Sequence, residues 1–349
     1  MKPIRSNWLI LGIPQLSLVL RFNRRVPAIL LLLALAILAV LICAVSFGNY
    51  VVPPLEVVRL LLGLSPSNAD YTFIVMTLRL PRALVALLVG MALGVAGTIT
   101  QGILRNPLAA PGIIGINAGA ALAAVIVIIV LSSAPIALLP PAAFLGGLIV
   151  FGCIYLLAWN RGSSPTRLVL VGIGFSLMTV AITNILVTFG NINNVSQALV
   201  WLAGSVYGRT WEQVWGLLPW LVVLVPVAIL LGRDLNVLHL GDEVARSVGS
   251  AVEWRRGALL VTSVALAGAA VASAGTIGFV GFIAPHIARR FVGPSHTGLI
   301  PTAALTGGLL VLGADLLGRS LFAPIELPCG LVTSAIGAPY FLYLMIRKR

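Results

Sequence analysis

Charge is scarce in this chain. Only 9% of its 349 residues are Asp, Glu, Lys or Arg, against roughly 25% in soluble domains, and just nine are acidic. A water-soluble fold is excluded. Histidine is as rare, with three in all. His286 follows Pro285 in "GFIAPHIARR" with no carboxylate or second histidine at ligand spacing, and His239 and His296 carry no motif, so no metal site is expected. The three cysteines, Cys43, Cys153 and Cys329, lie in or beside apolar runs. They form no disulfide framework or metal spacing and read as small packing residues. No Gly-x-x-x-x-Gly-Lys-Ser/Thr loop is present, and no Ser/His/Asp set for intramembrane catalysis. The chain is therefore not expected to hydrolyse nucleotide or to hold a cofactor. Within the predicted spans the only carboxylate is Asp315. Arg319, four residues on, shares its helix face and makes it an interfacial ion pair. An ion-coupled carrier, which needs ionisable groups in its spans, has this one candidate.

What the chain has is hydrophobic length. Hydrophobic residues make up 60%, mean hydropathy is +1.10, and several runs reach the ~20 residues that cross a bilayer. The runs are continuous rather than alternating, which excludes a β-barrel. The fold class is all-α, a polytopic membrane protein. Ten helices are predicted, over 27–47, 81–104, 113–132, 140–159, 168–189, 213–232, 257–275, 278–292, 300–320 and 328–346; the eighth is short for a span. Residues 1–26 read as a cytoplasmic leader, because Pro14 interrupts the first apolar stretch and "RFNRR" follows without a cleavage site. Residues 27–349 form one transmembrane domain.

The net charge of +13 does not point to nucleic acid, because the basic residues cluster between apolar runs. With both termini inside, 17 of the 22 Lys and Arg fall on the cytoplasmic side and five outside: Arg59, Arg79, Arg82, Arg209 and Arg319. This satisfies the positive-inside rule.

The halves, about 81–189 and 257–346, echo one another. "AGTI" occurs at 96–99 and 274–277, each followed by a proline at the same distance, Pro107 and Pro285. "AAFLGGLIVFG" (142–152) matches "AALTGGLLVLG" (303–313). Both matches shift by five helices, an odd number, so the two units cross in opposite directions. Such inverted repeats mark transporters that alternate access.

Three of the nine acids, Asp242, Glu243 and Glu253, fall within 238–256, inside the cytoplasmic connection 233–256. "DEVARSV" (242–248) favours a helix, with acids in the first turn and Arg246 later. Gly249 can end it. Val244, Ala245 and Val248 supply apolar surface for a docking partner.

"EVARSVG" (243–249) resembles the Glu-Ala-Ala-x-x-x-Gly coupling motif of ABC-importer permeases, with Val244 for the first alanine and without the downstream Ile-x-Leu-Pro. Longer stretches, "LRLPRALVALLVGMALGVAGTITQGILRNPLAAPGIIGINAGA" (78–120), "GTIGFVGFIAPHIARRFVG" (275–293) and "ADLLGRSLFAPIELPCGLVTSAIGAPYF" (314–341), resemble the FecCD/BtuC-like permeases of iron–siderophore, haem and cobalamin import. The resemblance implies a type II ABC importer in the bacterial cytoplasmic (inner) membrane. It further implies two permease subunits, identical or paralogous, two cytoplasmic ATPases and a periplasmic or lipid-anchored binding protein. Residues 242–249 would meet the ATPase. Arg79, Arg82 and Arg319 would meet glutamates of the binding protein. Ser176, Thr179, Thr183, Thr333 and Ser334, on the fifth and tenth predicted helices, would line the path. An iron chelate, siderophore or ferric citrate, is the expected cargo, with haem or cobalamin as the alternative. An ion-coupled secondary carrier is the alternative from another class.

Overall fold

The computed structural model describes residues 8–13, 18–48, 50–160, 162–321 and 324–347. Lys2, Arg5, Arg161, Lys348 and Arg349 of the charge count lie outside them. Each of the ten predicted segments is helical. They correspond to α1 (Arg25–Ser46), α3 (Ala69–Leu104), α4 (Ile116–Val130), α5 (Leu139–Ala158), α6 (Pro165–Phe189), α8 (Trp211–Leu230), α11 (Val252–Ala274), α12 (Val280–Val292), α13 (His296–Ser320) and α14 (Cys329–Arg347). Eight are long and apolar enough to cross a membrane; α4 and α12 are shorter. Four small helices join them: α2 (Pro54–Leu61), α7 (Ile192–Leu202), α9 (Gly232–His239) and α10 (Asp242–Ser247). Within the predicted leader, β1 (Trp8–Ile13) pairs antiparallel with β2 (Leu18–Asn23), Trp8 opposite Asn23. The sequence reading of a plain leader missed this hairpin.

Three helices form the interior. In the most apolar window of α3, α11 and α13, 78%, 83% and 67% of residues are buried, against 22–28% for α1, α5, α6, α8 and α14. Small residues explain this, because in lipid, helices associate through close backbone packing. A Cβ added at Gly90 would lie 2.1 Å from the Gly307 carbonyl oxygen, and one at Gly307 would lie 2.2 Å from that of Gly90. One turn on, a Cβ at Gly94 would meet the Ala303 oxygen at 2.3 Å. On its other flank α3 meets α12, where a Cβ at Gly97 would come within 1.8 Å of the Gly281 oxygen.

The repeat holds in part. Both halves run long, short, long, long, as α3 to α6 and as α11 to α14. The double glycines sit inside α5 and α13, but they serve different neighbours. Gly146 packs on Gly119 and Ala123 of α4, whereas Gly307 packs on Gly90 of α3. The two "AGTI" segments are not equivalent. Residues 96–99 are helical, and Thr98 donates back to the Gly94 carbonyl at 2.8 Å. At 274–277 the chain leaves α11 through Gly275 at φ +73°, then enters α12 through Phe279 at φ +63°, a left-handed conformation unusual for a bulky residue. Gly337 of α14 leaves room for the Phe279 ring, which lies 2.4 Å from where its Cβ would be.

Gly307→Val should clash with the backbone of α3 and cost at least about 3 kcal/mol, the upper range for overpacking. Gly313→Ala, where an added Cβ meets nothing within 4 Å, should be neutral. Thermal midpoints of the purified chain in detergent check both; equal midpoints would refute the contact.

Candidate functional site

The structure gathers Arg79, Arg82 and Arg319 at one end of the bundle, where α1 and α13 finish and where Arg82 stands two residues past Leu80 on α3. Arg82 is the centre. Its Nε lies 3.1 Å from each carboxylate oxygen of Asp315, and a terminal nitrogen donates to Asp315 at 2.8 Å. The other terminal nitrogen donates to Glu326 at 2.7 Å. The Asp315 side chain is 3% exposed and that of Arg82 is 12%, so this is a mostly buried bidentate pair fastening α3 to α13. The predicted partner of Asp315, Arg319, is farther, with its Nε at 3.9 Å.

The other two arginines serve α1. A helix leaves its last carbonyls without intrahelical donors. Arg79 donates to the carbonyls of Val45 at 2.8 Å, Ser46 at 3.0 Å and Tyr50 at 2.5 Å. Arg319 donates to that of Ala44. Two cations at a helix C-terminus also complement its dipole. The cluster holds three guanidinia against two carboxylates, Asp315 and Glu326.

At the opposite end lies α10. Its first residue, Asp242, accepts from Arg256 at 2.6 Å and from Arg105. Arg105 caps the C-terminus of α3 at φ +49°. Arg256, in the first turns of α11, is among the largest fully buried side chains, and it also donates to the Ser163 carbonyl at 2.5 Å and hydroxyl at 3.1 Å. Glu253 accepts from the Ser163 hydroxyl at 2.6 Å and from its amide at 2.9 Å. Asp242 thus ties α10 to the two most buried helices. Ala245 is also buried, while Glu243, Val244, Arg246, Val248 and Gly249 are exposed. The expected apolar surface of Val244, Ala245 and Val248 is therefore split: Ala245 faces the bundle and the two valines face out. Sequence reasoning missed Arg105, Arg256 and Ser163. The available signal was a pair of arginines, at 105 and 256, bordering apolar runs close to the acidic stretch.

The proposed path residues are divided as well. Thr179, Thr183 and Thr333 are buried and return their hydroxyls to carbonyls of their own helices, at Phe175 and Ser176, at Thr179 and at Gly330. Ser176 and Ser334 are half-buried. Ser176 borders a shallow groove of about 300 Å³ with Ile173, Leu177 and Val180. The outward faces of α6 and α14 are mostly apolar, including Leu170, Met178 and Ile185 on α6 and Leu331, Ile336 and Met345 on α14, with Asn184 and Thr188 of α6 and Tyr343 and Arg347 of α14 also exposed.

Arg82→Ala leaves Asp315 buried without its main partner, a loss of roughly 2–4 kcal/mol once partial exposure is allowed for. Asp315→Ala in the same chain should recover more than half of it. Denaturation midpoints of the two single variants and the double variant check this, and strictly additive losses would show that the pair is not coupled.

The model of the FecCD transport family matches residues 33–347. The chain is 47% identical to the "Probable siderophore transport system permease protein YfhA" of Bacillus subtilis, over 89% of this chain and 92% of that one. It is 46% identical to the achromobactin transport system permease protein CbrC of Dickeya dadantii, over 90% of each. Among solved structures, an inward-facing ABC transporter described as of the metal-chelate type matches with a TM-score of 0.83 at 28% identity, over 92% of this chain and 99% of that one. The chain belongs to the FecCD transport family, permease subunits of ABC importers.

Proposed function

We propose that this permease passes an iron chelate, a siderophore complex or ferric citrate, from a binding protein across the cytoplasmic membrane, with ATP hydrolysed on separate subunits. The observation that carries the cargo is the pair of near-full-length relatives at 46–47% identity, one named for siderophore and one for achromobactin transport. The mostly apolar outer faces of α6 and α14 support it. A wall with few polar groups offers no tight site, so selectivity rests with the protein that delivers the cargo. Those two faces would meet their counterparts on a second permease subunit, a copy or a paralogue, with Ser176 and Ser334 at the margin of the path.

The arginine cluster is the proposed docking face. Acidic groups on the binding protein would compete with Glu326, whose side chain is one-third exposed, for the Arg82 guanidinium, and with the α1 carbonyls for Arg79 and Arg319. Rim charges of this kind tune encounter and register. The positive-inside count supports placing this face outside, α10 inside and both termini in the cytoplasm.

Residues 242–249 are the proposed contact with the ATPases. The support is geometric. Glu243, Val244 and Arg246 are exposed on a short helix and Val248 at its C-terminal cap, and Asp242 links that helix to α3 and α11. A push on α10 is thereby applied to the core rather than lost in a loop.

Glu243→Arg should abolish uptake while leaving membrane insertion intact. Gly249→Pro should do the same, since Gly249 sits at φ +81° and proline holds φ near −65°. Normal uptake by both would refute the coupling assignment. In proteoliposomes with the ATPase and binding protein, ATP should drive entry of ferric siderophore or ferric citrate, and a proton gradient alone should not. Entry of haem or cobalamin in place of iron chelates would overturn the cargo.

A further inference from the structure

A cavity of about 570 Å³ opens between the first turns of α5 and α8 and the last turns of α11. It lies at the end of the bundle that carries Arg82, but on different helices. Because α5 and α8 are among the least buried of the long helices, the cavity sits at the perimeter, where lipid meets protein. Most of its wall is apolar. Pro140 and Phe144 come from α5, and the ring of Trp220 of α8 lies tilted by 42° against that of Phe144, with ring centroids 5.0 Å apart.

Two opposite charges line this wall. Arg209 stands just before α8, and Glu212 is in its first turn. They do not pair. Among the described residues no carboxylate reaches Arg209, and its Nε is buried without an acceptor. Burial lowers the pKa of this guanidinium from the usual arginine value, as expected for a cation short of an anion. The spacing of the two charges is held by the start of α8, where the Gln213 side-chain oxygen Oε1 accepts from the Thr210 amide at 2.8 Å and from its hydroxyl at 3.0 Å. Gln213 is thereby occupied and does not supply the missing acceptor. A desolvated guanidinium is costly until an anion meets it, and phosphate suits its fork-like donors best.

We propose that this cavity binds a zwitterionic phospholipid, its phosphate on Arg209, its ammonium toward Glu212, and an acyl chain along Phe144, Trp220 and Gly216. Glu212 disfavours a lipid whose headgroup carries only negative charge. The bound lipid supplies the anion that the chain lacks and fills the space between α5, α8 and α11.

The test is thermal unfolding of the full-length chain, delipidated in detergent and titrated with phosphatidylethanolamine, phosphatidylglycerol or inorganic phosphate. Phosphatidylethanolamine should raise the midpoint by a few degrees, phosphatidylglycerol by clearly less, and phosphate not at all, since a ligand of the folded state stabilises by mass action. Arg209→Gln should remove the gain, and Glu212→Gln should bring the two lipids level. Should Arg209→Gln fold poorly, Gly216→Phe gives an independent reading. A Cβ there meets nothing within 4 Å, so the ring occupies the cavity and cancels the lipid response in a folded chain. An equal gain in wild type, Arg209→Gln and Gly216→Phe overturns the proposal. So does a phosphate response matching that of phosphatidylethanolamine.

Discussion

Everything in this structure is arranged around the backbone-to-backbone approach of α3 to α13 and α12. Water supplies no hydrophobic drive between helices already in lipid, so close contact has to come from shape. The glycines at 90, 94, 97, 281 and 307 provide it by removing the side chains that would otherwise hold the helices apart. The remaining helices settle on this nucleus as a partly lipid-facing shell. That division explains why burial falls from two-thirds or more in the three central helices to about a quarter in the outer ones.

Charge then marks the two ends of the same nucleus. At one end Arg82 of α3 grips Asp315 of α13 and Glu326 beyond it. At the other, Arg105, the cap of α3, meets Asp242 of α10. One helix therefore carries both clusters, separated by the stretch from Arg82 to Arg105 and by a glycine-packed interior that leaves little room for bending. Movement imposed on α10 and movement imposed on the arginine cluster act on the same rod. The two clusters are thereby joined by a short mechanical connection.

The sequence displays the hydrophobic architecture almost completely, because length and continuity of apolar runs determine it and both are local properties. The ten segments, the short eighth one and the helical propensity of 242–248 are all visible there. What is not visible is long-range. Asp315 and Arg319 are four residues apart and invite pairing, yet the carboxylate belongs mainly to Arg82, 233 positions away. Arg256 looks like part of a basic cluster in "EWRR", yet it is fully buried beneath Asp242 and Ser163. The second "AGTI" resembles the first letter for letter and is unwound where the first is helical, because its glycine is the point at which α11 ends. Polar partners and helix ends depend on what the fold brings near, and one sequence does not record that.

The short helix α10 has a further consequence. Asp242 and Ala245 attach it to the scaffold, and the positions between and after them point away. The fold and the outward surface are thus written in different letters of a single six-residue word. Outward residues can be exchanged without loosening the helix from its support. Changes at Asp242 or Ala245 would alter the mounting and leave the outward face as it was. The exposed chemistry of α10 can therefore vary while the transmembrane body stays unaltered.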